Sequence, residues 1–275
     1  MKNTEKNIAY FHLPGLFEFY DLYSVFLPLY REHREYFYDR FEIASVYGAP
    51  ADCIWGGGRV GAGECKAEDV LALMNEYGIS SRLTFSNSLL RPEHLTDRKC
   101  NALCELFSQS KGIRNGVIIH SELLLEHIKN NYPDLYFVSS TTKVQTDFDE
   151  FLSETKRSEF KYVVPDFRLN KQYDKLAALP QVLKDKVEFL CNECCSFYCK
   201  DRKACYENVS RKNLGESCEE HICKAPGAEE GYRFSKAMKN PAFISTDDII
   251  YYLTKPEYRL AVREEIYLDS MLDLF

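Results

Sequence analysis

Short runs of β-forming residues alternate with amphipathic segments along most of this 275-residue chain. The runs are rich in Val, Ile, Phe and Tyr, and the segments between them place apolar residues at helical spacing. Strands that alternate with helices of roughly 10–15 residues favour βα units and a parallel sheet. We therefore predict an α/β fold, a (βα)8 TIM-type barrel that is incomplete or irregular at its C-terminal end. A doubly wound open sheet is the alternative.

The predicted elements follow each other closely in the sequence. Strands are predicted at 8–13, 43–47, 82–85, 117–119, 135–138, 162–164 and 186–190, with 243–245 as the eighth. Helices are predicted at 18–38 with an interruption at Pro28, and at 67–77, 97–109, 122–130, 147–156, 172–184 and 246–253. We expect a single barrel domain over 1–275, with a cysteine-rich insertion at about 191–226.

Composition limits the class of partner. The formal net charge is −7, so no overall basic charge favours binding to nucleic-acid phosphates. Five basic residues do lie close together, and we interpret them as a solvated helix face: Lys200, Arg202, Lys203, Arg211 and Lys212. The N-terminus does not resemble a secretory signal, and no stretch approaches the roughly 20 apolar residues of a membrane span. These features predict a cytoplasmic protein that does not bind a membrane.

Cysteine is concentrated just after the predicted strand 186–190. Four of the eleven cysteines fall within residues 191–199. In a barrel, the loops after the strands carry the chemistry, and cysteines in a reducing compartment are thiols or metal ligands. Cys195 and Cys199 have the spacing of two thiolates that reach one ion or cluster.

Several other cysteines are candidate ligands. Cys223 and Cys53 follow the cysteine-rich loop and the second strand, respectively, and the barrel would bring both to the same face. The competing candidates are Cys191, Cys194, Cys205 and Cys218. Soft thiolates suit either Zn or an iron–sulfur cluster, and composition does not choose between them. Cys100 and Cys104 lie one turn apart on a predicted helix and are interpreted as core residues.

Polar residues at the other strand ends complete the predicted site. Lys143, Asp166 and Glu193 are candidate catalytic groups, as a base or as a general acid and base. Candidate substrate-binding residues are Asn87, His120, Thr141 and Asn192. The alternatives are a surface position for Lys143, helix caps for Asp166 and Glu193, and a structural His120. The glycines at 56–58 lack the Gly-Lys-Ser/Thr of a phosphate-binding loop, and we expect a tight bend around a ligand or another loop.

Several motifs, taken in order, resemble one family. They are Ser86-Asn87 with Asp97 and Asn101, Asn115-Gly116-Val117, the run 139–143, Asn192-Glu193 with Cys195 and Cys199, then Cys223 and Phe243-Ile244-Ser245. Over roughly residues 40–250 the chain resembles bacterial proteins related to the collagenase-like peptidases. The Cys-x-x-x-Cys block is the most specific part of this resemblance.

The resemblance implies a TIM-type barrel and a [4Fe–4S] cluster held by four cysteines. Members of the wider superfamily act in anaerobic ubiquinone synthesis and in RNA hydroxylation. The ligands it implies here are Cys53, Cys195 and Cys199, with Cys223 or Cys191 as the fourth. We therefore expect an iron–sulfur enzyme that modifies a small molecule or a nucleic-acid base, with oxygen-independent hydroxylation as the expected reaction and a small molecule or RNA as substrate.

Two other functions remain open. One is a binding or scaffold barrel that Zn stabilises, and the other is a peptidase. No Ser-His-Asp or Cys-His pairing of a protease can be read from the sequence. The sequence does not identify a partner protein.

Overall fold

The fold is built on one parallel sheet. The computed structural model describes residues 8–58, 63, 65–110, 112–226, 228–230, 234–254 and 265–269. Its strands are β1 (Ile8–Pro14), β2 (Phe41–Gly48), β3 (Ser80–Phe85), β4 (Gly116–Ile119), β5 (Tyr136–Ser139), β6 (Phe160–Val163), β7 (Glu188–Leu190) and β8 (Glu265–Asp269). They are ordered β6-β5-β4-β3-β2-β1-β8-β7, with every neighbouring pair parallel.

The sheet curls so that its two outer strands approach each other. Val163 at the end of β6 forms an isolated parallel bridge with Val187, directly before β7. The Val163 N–H donates to the carbonyl of Lys186 at 2.7 Å. The predicted α/β class is therefore confirmed, as a curled parallel sheet.

Helices flank this sheet, and most lie where the sequence predicts them. They are α1 (Tyr20–Glu32), α2 (Ala67–Tyr77), α3 (Arg98–Ser108), α4 (Glu122–Asn131), α5 (Phe148–Thr155), α6 (Tyr173–Ala177), α7 (Gln181–Lys184), α8 (Arg202–Asn213), α9 (Phe234–Ala237) and α10 (Thr246–Thr254). Pro28 lies inside α1 without ending it. None of the helices in the described ranges has the length and apolar character that crossing a bilayer would require.

The predicted eighth strand was wrong. Residues 243–245 lie in an irregular segment, in which the N–H of Ile244 donates to the carbonyl of Cys191 at 3.0 Å. Ser245 then caps α10, because its hydroxyl accepts a hydrogen bond from the N–H of Asp248 at 3.2 Å. The strand between β1 and β7 is instead β8, which comes later in the chain. Ile244 is fully buried, which explains why this segment has the apolar character of a buried strand.

Apolar packing occurs on both sides of the sheet. A large cluster fills the space between strands and helices, whereas a smaller one contains Ile118, Tyr136, Val138, Tyr162 and Val164. Tyr136 and Tyr162 lie beside the buried guanidinium of Arg82, which is 4.9 Å from the Tyr162 ring centroid. The second side of the sheet is thus packed with aromatic and charged groups together.

Candidate functional site

The loop after β7 is shaped by one carboxylate. Oε1 of Glu193 accepts hydrogen bonds from the N–H of Cys195 at 3.0 Å and from the thiol of Cys194 at 3.1 Å. A turn then brings the N–H of Cys199 to the carbonyl of Ser196 at 3.0 Å. These bonds fix the backbone between β7 and α8, so the cysteines after position 193 lie outside the hydrophobic core.

This loop borders a cavity of about 470 Å³ that five cysteines line. They are Cys194, Cys195, Cys199, Cys205 and Cys223. They come from three segments, namely the loop after β7, helix α8 and the chain before α9. The structure thus brings together three predicted ligands, Cys195, Cys199 and Cys223, and His221 lies in the same lining.

The spacing of the donors within this lining is uneven. The carboxylate of Glu193 and the thiols of Cys194 and Cys195 each offer a ligand atom, and all three atoms lie within 4.8 Å of one another. A structural zinc ion takes four donors in a tetrahedron, so this group alone is one donor short. The wider set of five thiols has the chemistry of a cluster site, because an iron–sulfur cluster is held by four thiolates.

Arg202 connects the cavity to the sheet. It is the first residue of α8, and its side chain is 0% exposed. Its Nη2 lies 2.7 Å from Oε2 of Glu193, 2.9 Å from the hydroxyl of Tyr206 and 3.3 Å from Oγ1 of Thr141. Burial acts to lower the pKa of Arg202, but Glu193, Tyr206, Asp166 and Cys195 together raise it. Arg202 therefore stays charged beside the cysteine loop.

In the segment after β6, a second arginine, Arg168, pairs with Asp166. Asp166 is fully buried, and its carboxylate accepts hydrogen bonds from Nε and Nη2 of Arg168 at 2.6 and 2.9 Å. Nη1 of Arg168 also donates to the carbonyl of Cys199 at 3.1 Å. The Oδ2 atom of Asp166, which accepts from Nη2 of Arg168, also lies 3.7 Å from Nε of Arg202. Predicted residues from three strand ends thus meet at the two arginines.

Lys143 and His120 occupy a different cluster. Nζ of Lys143 lies 2.5 Å from Oε1 of Glu154. The Nδ1 atom of His120 lies 2.9 Å from Oγ1 of Thr142. Burial, then Lys143 and Lys203, lowers the pKa of His120 to about 4, so the ring is neutral at pH 7. Neither Lys143 nor His120 lines the cysteine cavity.

The side chain of Asn87 makes hydrogen bonds to backbone groups. Its Nδ2 donates to the carbonyls of Ile54 at 2.8 Å and Ser210 at 3.1 Å, and its Oδ1 accepts from the N–H of Leu89 at 2.9 Å. It thereby ties the end of β3 to two other segments. Asn192 is half-buried and is not part of the cavity lining.

The glycine loop bends around another loop, as predicted. A Cβ atom on Gly57 would lie 2.3 Å from the carbonyl oxygen of Ser86, a distance that no side chain tolerates. The N–H of Asn87 donates to the carbonyl of Trp55 at 2.9 Å across the same contact. Glycine is therefore required by the close approach of two backbones.

Two predicted ligands lie away from the cavity lining. Cys53 is buried, and its Sγ atom lies 3.2 Å from Sγ of Cys100. Cys191 is 0% exposed, and its thiol lies 3.7 Å from the carbonyl of Phe189. Cys191 directly follows β7, and its side chain packs in the core rather than in the loop.

Sequence reasoning missed the role of Arg202. Its polar neighbours suggested a solvated helix face, and this interpretation was wrong for Arg202. The buried residues of α8 are Arg202, Tyr206 and Ser210. They recur at every fourth position, which is the spacing of one helix face. That spacing could have indicated a buried helix face. However, two of the three residues are polar and the third is Tyr, so the face has no apolar pattern.

A histidine and a serine lie together in the sheet, in an arrangement unlike that of a nucleophile and its base. Nδ1 of His12 lies 2.7 Å from Oγ of Ser45, and Nε2 lies 3.3 Å from Nη2 of Arg82. Nε2 also lies 3.5 Å from Oε2 of Glu188, so this nitrogen has both a donor and an acceptor beside it. Burial, then Arg82 and Lys161, keeps the pKa of His12 well below its usual value. Both side chains are buried in the sheet, and neither lines the cysteine cavity.

Comparison with known proteins identifies a class of fold. No protein-family model matches the chain, and no curated protein matches it. The solved structure of the U32 peptidase Mk0906 is similar, with a TM-score of 0.54 and 11% identity, over 100% of this chain and 97% of that one. At this identity the likeness is one of fold. The chain is thus an α/β protein whose fold is similar to that of a U32 peptidase.

Proposed function

We propose that the cavity holds a [4Fe–4S] cluster and that the protein is an iron–sulfur enzyme acting on a small molecule or a nucleic-acid base. The single observation that carries this proposal is the lining of one cavity by five thiols from three chain segments. Four thiolates suffice for a cubane cluster, so the donor set fits. We also propose that the curled sheet is a (βα)8-type barrel with this cavity at the carboxyl ends of its strands.

We assign Cys195, Cys199, Cys205 and Cys223 as the cluster ligands. Cys194 is exposed and donates its thiol hydrogen to Glu193, so it is the thiol left over. Cys53 and Cys191 are omitted, because both are buried and neither lines the cavity. A bound cluster supplies one-electron transfer, at a potential that depends on nearby charge and hydrogen bonds. Oxygen-independent hydroxylation, which the family resemblance implies, is the reaction we assign, with a co-substrate that donates the oxygen atom and is itself reduced by two electrons.

The surrounding residues have roles of their own. Arg202 carries a positive charge close to Cys195 and so favours the thiolate that a metal requires. Glu193 holds Arg202 and the N–H of Cys195 at the same time, which orients the loop. Arg168 holds the carbonyl of Cys199 in place.

The test is metal and sulfide analysis of protein purified without oxygen. We expect brown protein with about four iron and four sulfide per chain. Cys199→Ser and Cys223→Ser should lose the colour. The matched control is Cys218→Ser, because Cys218 belongs to the same region and does not line the cavity. Colourless protein with stoichiometric zinc would contradict the cluster and would support a scaffold protein that zinc stabilises.

A peptidase is the second candidate, because the fold resembles that of a U32 peptidase. Its support is the likeness of fold alone. Cleavage of a peptide library that persists in the double variant Cys195→Ser/Cys199→Ser would favour it over the iron–sulfur enzyme. Cleavage that persists in Ser45→Ala as well would exclude the buried serine as its nucleophile.

A further inference from the structure

Arg202 has hydrogen-bond donors that the described part of the chain does not satisfy. Its Nε and Nη1 atoms are buried, and neither has a hydrogen-bond partner there. Only Nη2 is occupied, by Glu193, Tyr206 and Thr141. Buried donors without acceptors cost free energy, and the cost is larger when the group is charged. An acceptor from a ligand would remove this cost.

The nearby carboxylates are already committed to other donors. Asp166 accepts two hydrogen bonds from the guanidinium of Arg168 and one from its N–H, and its nearer oxygen is 3.7 Å from Nε of Arg202. Glu193 is held by Nη2 of Arg202 and by the N–H of Cys195. No carboxylate of the described residues is therefore within hydrogen-bond distance of Nη1.

The cavity beside Arg202 has the charge of an anion site. Among the described residues, its lining contains three basic side chains, Arg202, Lys236 and Lys239, and one carboxylate, that of Glu193. Arg202 also begins the 12-residue helix α8, whose N-cap, Asp201, makes no side-chain capping hydrogen bond. The N-terminus of a helix carries partial positive charge and favours anions.

We propose that the cavity contains a subsite for one small oxyanion, a carboxylate or phosphate group of the ligand, bound at Nη1 of Arg202. Lys236 and Lys239 supply the remaining positive charge of this subsite. Because Nη1 is inaccessible to water, binding requires side chains of the lining to move. The inference rests on the proposed function in one respect: it makes the substrate of the iron–sulfur enzyme anionic. The subsite itself needs no cluster.

The test is binding of inorganic phosphate and of succinate, measured separately by calorimetry and by thermal unfolding. Protein purified without oxygen is used, with sodium chloride added to keep the ionic strength constant. We expect one or both anions to bind saturably at one site per chain and to raise the Tm. Binding of phosphate alone indicates a phosphorylated ligand, and binding of succinate alone indicates a carboxylate ligand. Failure of both to bind overturns the proposal.

Arg202→Lys is the decisive variant, because it keeps the charge but removes the Nη1 donor. We expect the Kd to rise about tenfold. The matched control is Arg211→Lys on the same helix, where Arg211 is exposed and pairs with Glu216. If Arg202→Lys and Arg211→Lys bind the anion with equal affinity, the proposal is overturned. If Arg202→Lys does not fold, Lys239→Gln provides a second measurement, with weaker binding expected and unchanged binding contradicting the subsite.

Iron content is measured on the same samples. Anion binding without iron would support the subsite and contradict the cluster. Iron without anion binding would do the reverse, so the two proposals fail independently.

Discussion

The Sγ atoms of Cys53 and Cys100 lie 3.2 Å apart in the protein core. The hydrogen bond between these thiols lowers the pKa of Cys53 and raises that of Cys100. We predict that Cys53→Ala keeps its full iron content but lowers the free energy of unfolding by about 1–2 kcal/mol, because it leaves a small cavity. Iron analysis and urea unfolding measure the two effects. A folded variant without iron would instead make Cys53 a ligand, as the family resemblance implies.

The buried pair of Arg82 and Glu188 is expected to contribute strongly to stability. Nη1 of Arg82 lies 2.7 Å from Oε2 of Glu188, and both side chains are at most 1% exposed. Glu188→Ala leaves the guanidinium buried without its counter-charge, at a cost of about 3–5 kcal/mol. Urea unfolding measures this loss.

The double variant Arg82→Met/Glu188→Leu is the control for this prediction. It removes both charges, so we expect it to recover most of the lost stability. A single variant as stable as the wild type would show that the pair contributes little.

Stability should fall as the pH is lowered from 6.5 towards 4. Burial, followed by nearby cations, lowers the pKa of His12 and His120 in the folded protein, the latter from 6.5 to about 4. The unfolded chain therefore binds more protons in this range, and the stabilisation present above pH 6.5 is lost as the pH falls. Each histidine contributes a slope of up to about 1.4 kcal/mol per pH unit.

His120→Gln separates the contribution of one histidine. We expect a shallower fall in stability between pH 6.5 and 4 than in the wild type, measured by urea unfolding at several pH values. His33→Gln is the matched control, because His33 is exposed. An unchanged slope in His120→Gln would contradict the lowered pKa.

The alternation of strands and helices was predictable because each element carries its own local pattern. Helix α2 begins and ends where its apolar spacing predicts. The position of the eighth strand was not predictable, since Ile244 is buried like a strand residue yet its N–H reaches only the carbonyl of Cys191. Strand identity there depends on which backbone lies alongside, and this is a tertiary property.

The candidate site was predictable only in part, for a similar reason. The spacing of Cys195 and Cys199 in one loop is local, and both do line the cavity. Whether Cys53 reaches that cavity depends on the path of a distant loop. The burial of Arg202 depends on carboxylates from two other segments, Asp166 and Glu193, whose charge allows a guanidinium to remain inside.

Glu193 should matter for stability as well as for the cysteine loop. It supplies the acceptor for Nη2 of Arg202 at 2.7 Å and for the N–H of Cys195 at 3.0 Å. Glu193→Ala removes both bonds and leaves a buried charge, so we expect a loss of about 3–5 kcal/mol by urea unfolding. Glu216→Ala is the control, since its ion pairs with Arg91 and Arg211 lie at the surface and each is worth at most about 1 kcal/mol. Equal losses in the two variants would contradict the central role of Glu193.

Asn87 was predicted to bind substrate, yet its hydrogen bonds predict a structural effect. Its amide donates to the carbonyls of Ile54 and Ser210. Asn87→Asp would direct a buried carboxylate at these two carbonyls, and we expect a loss on the order of 3 kcal/mol in urea unfolding.

Asn75→Asp is the matched control for this substitution. The Oδ1 atom of Asn75 accepts the hydroxyl hydrogen of Ser110 at 2.8 Å, and a carboxylate keeps that acceptor. The same change of amide to carboxylate should therefore be nearly neutral at position 75. The structural role of Asn87 rests on the two backbone carbonyls that its amide hydrogens contact. If Asn87→Asp kept full stability but bound anions or substrate more weakly than the wild type, Asn87 would instead be a ligand-binding residue.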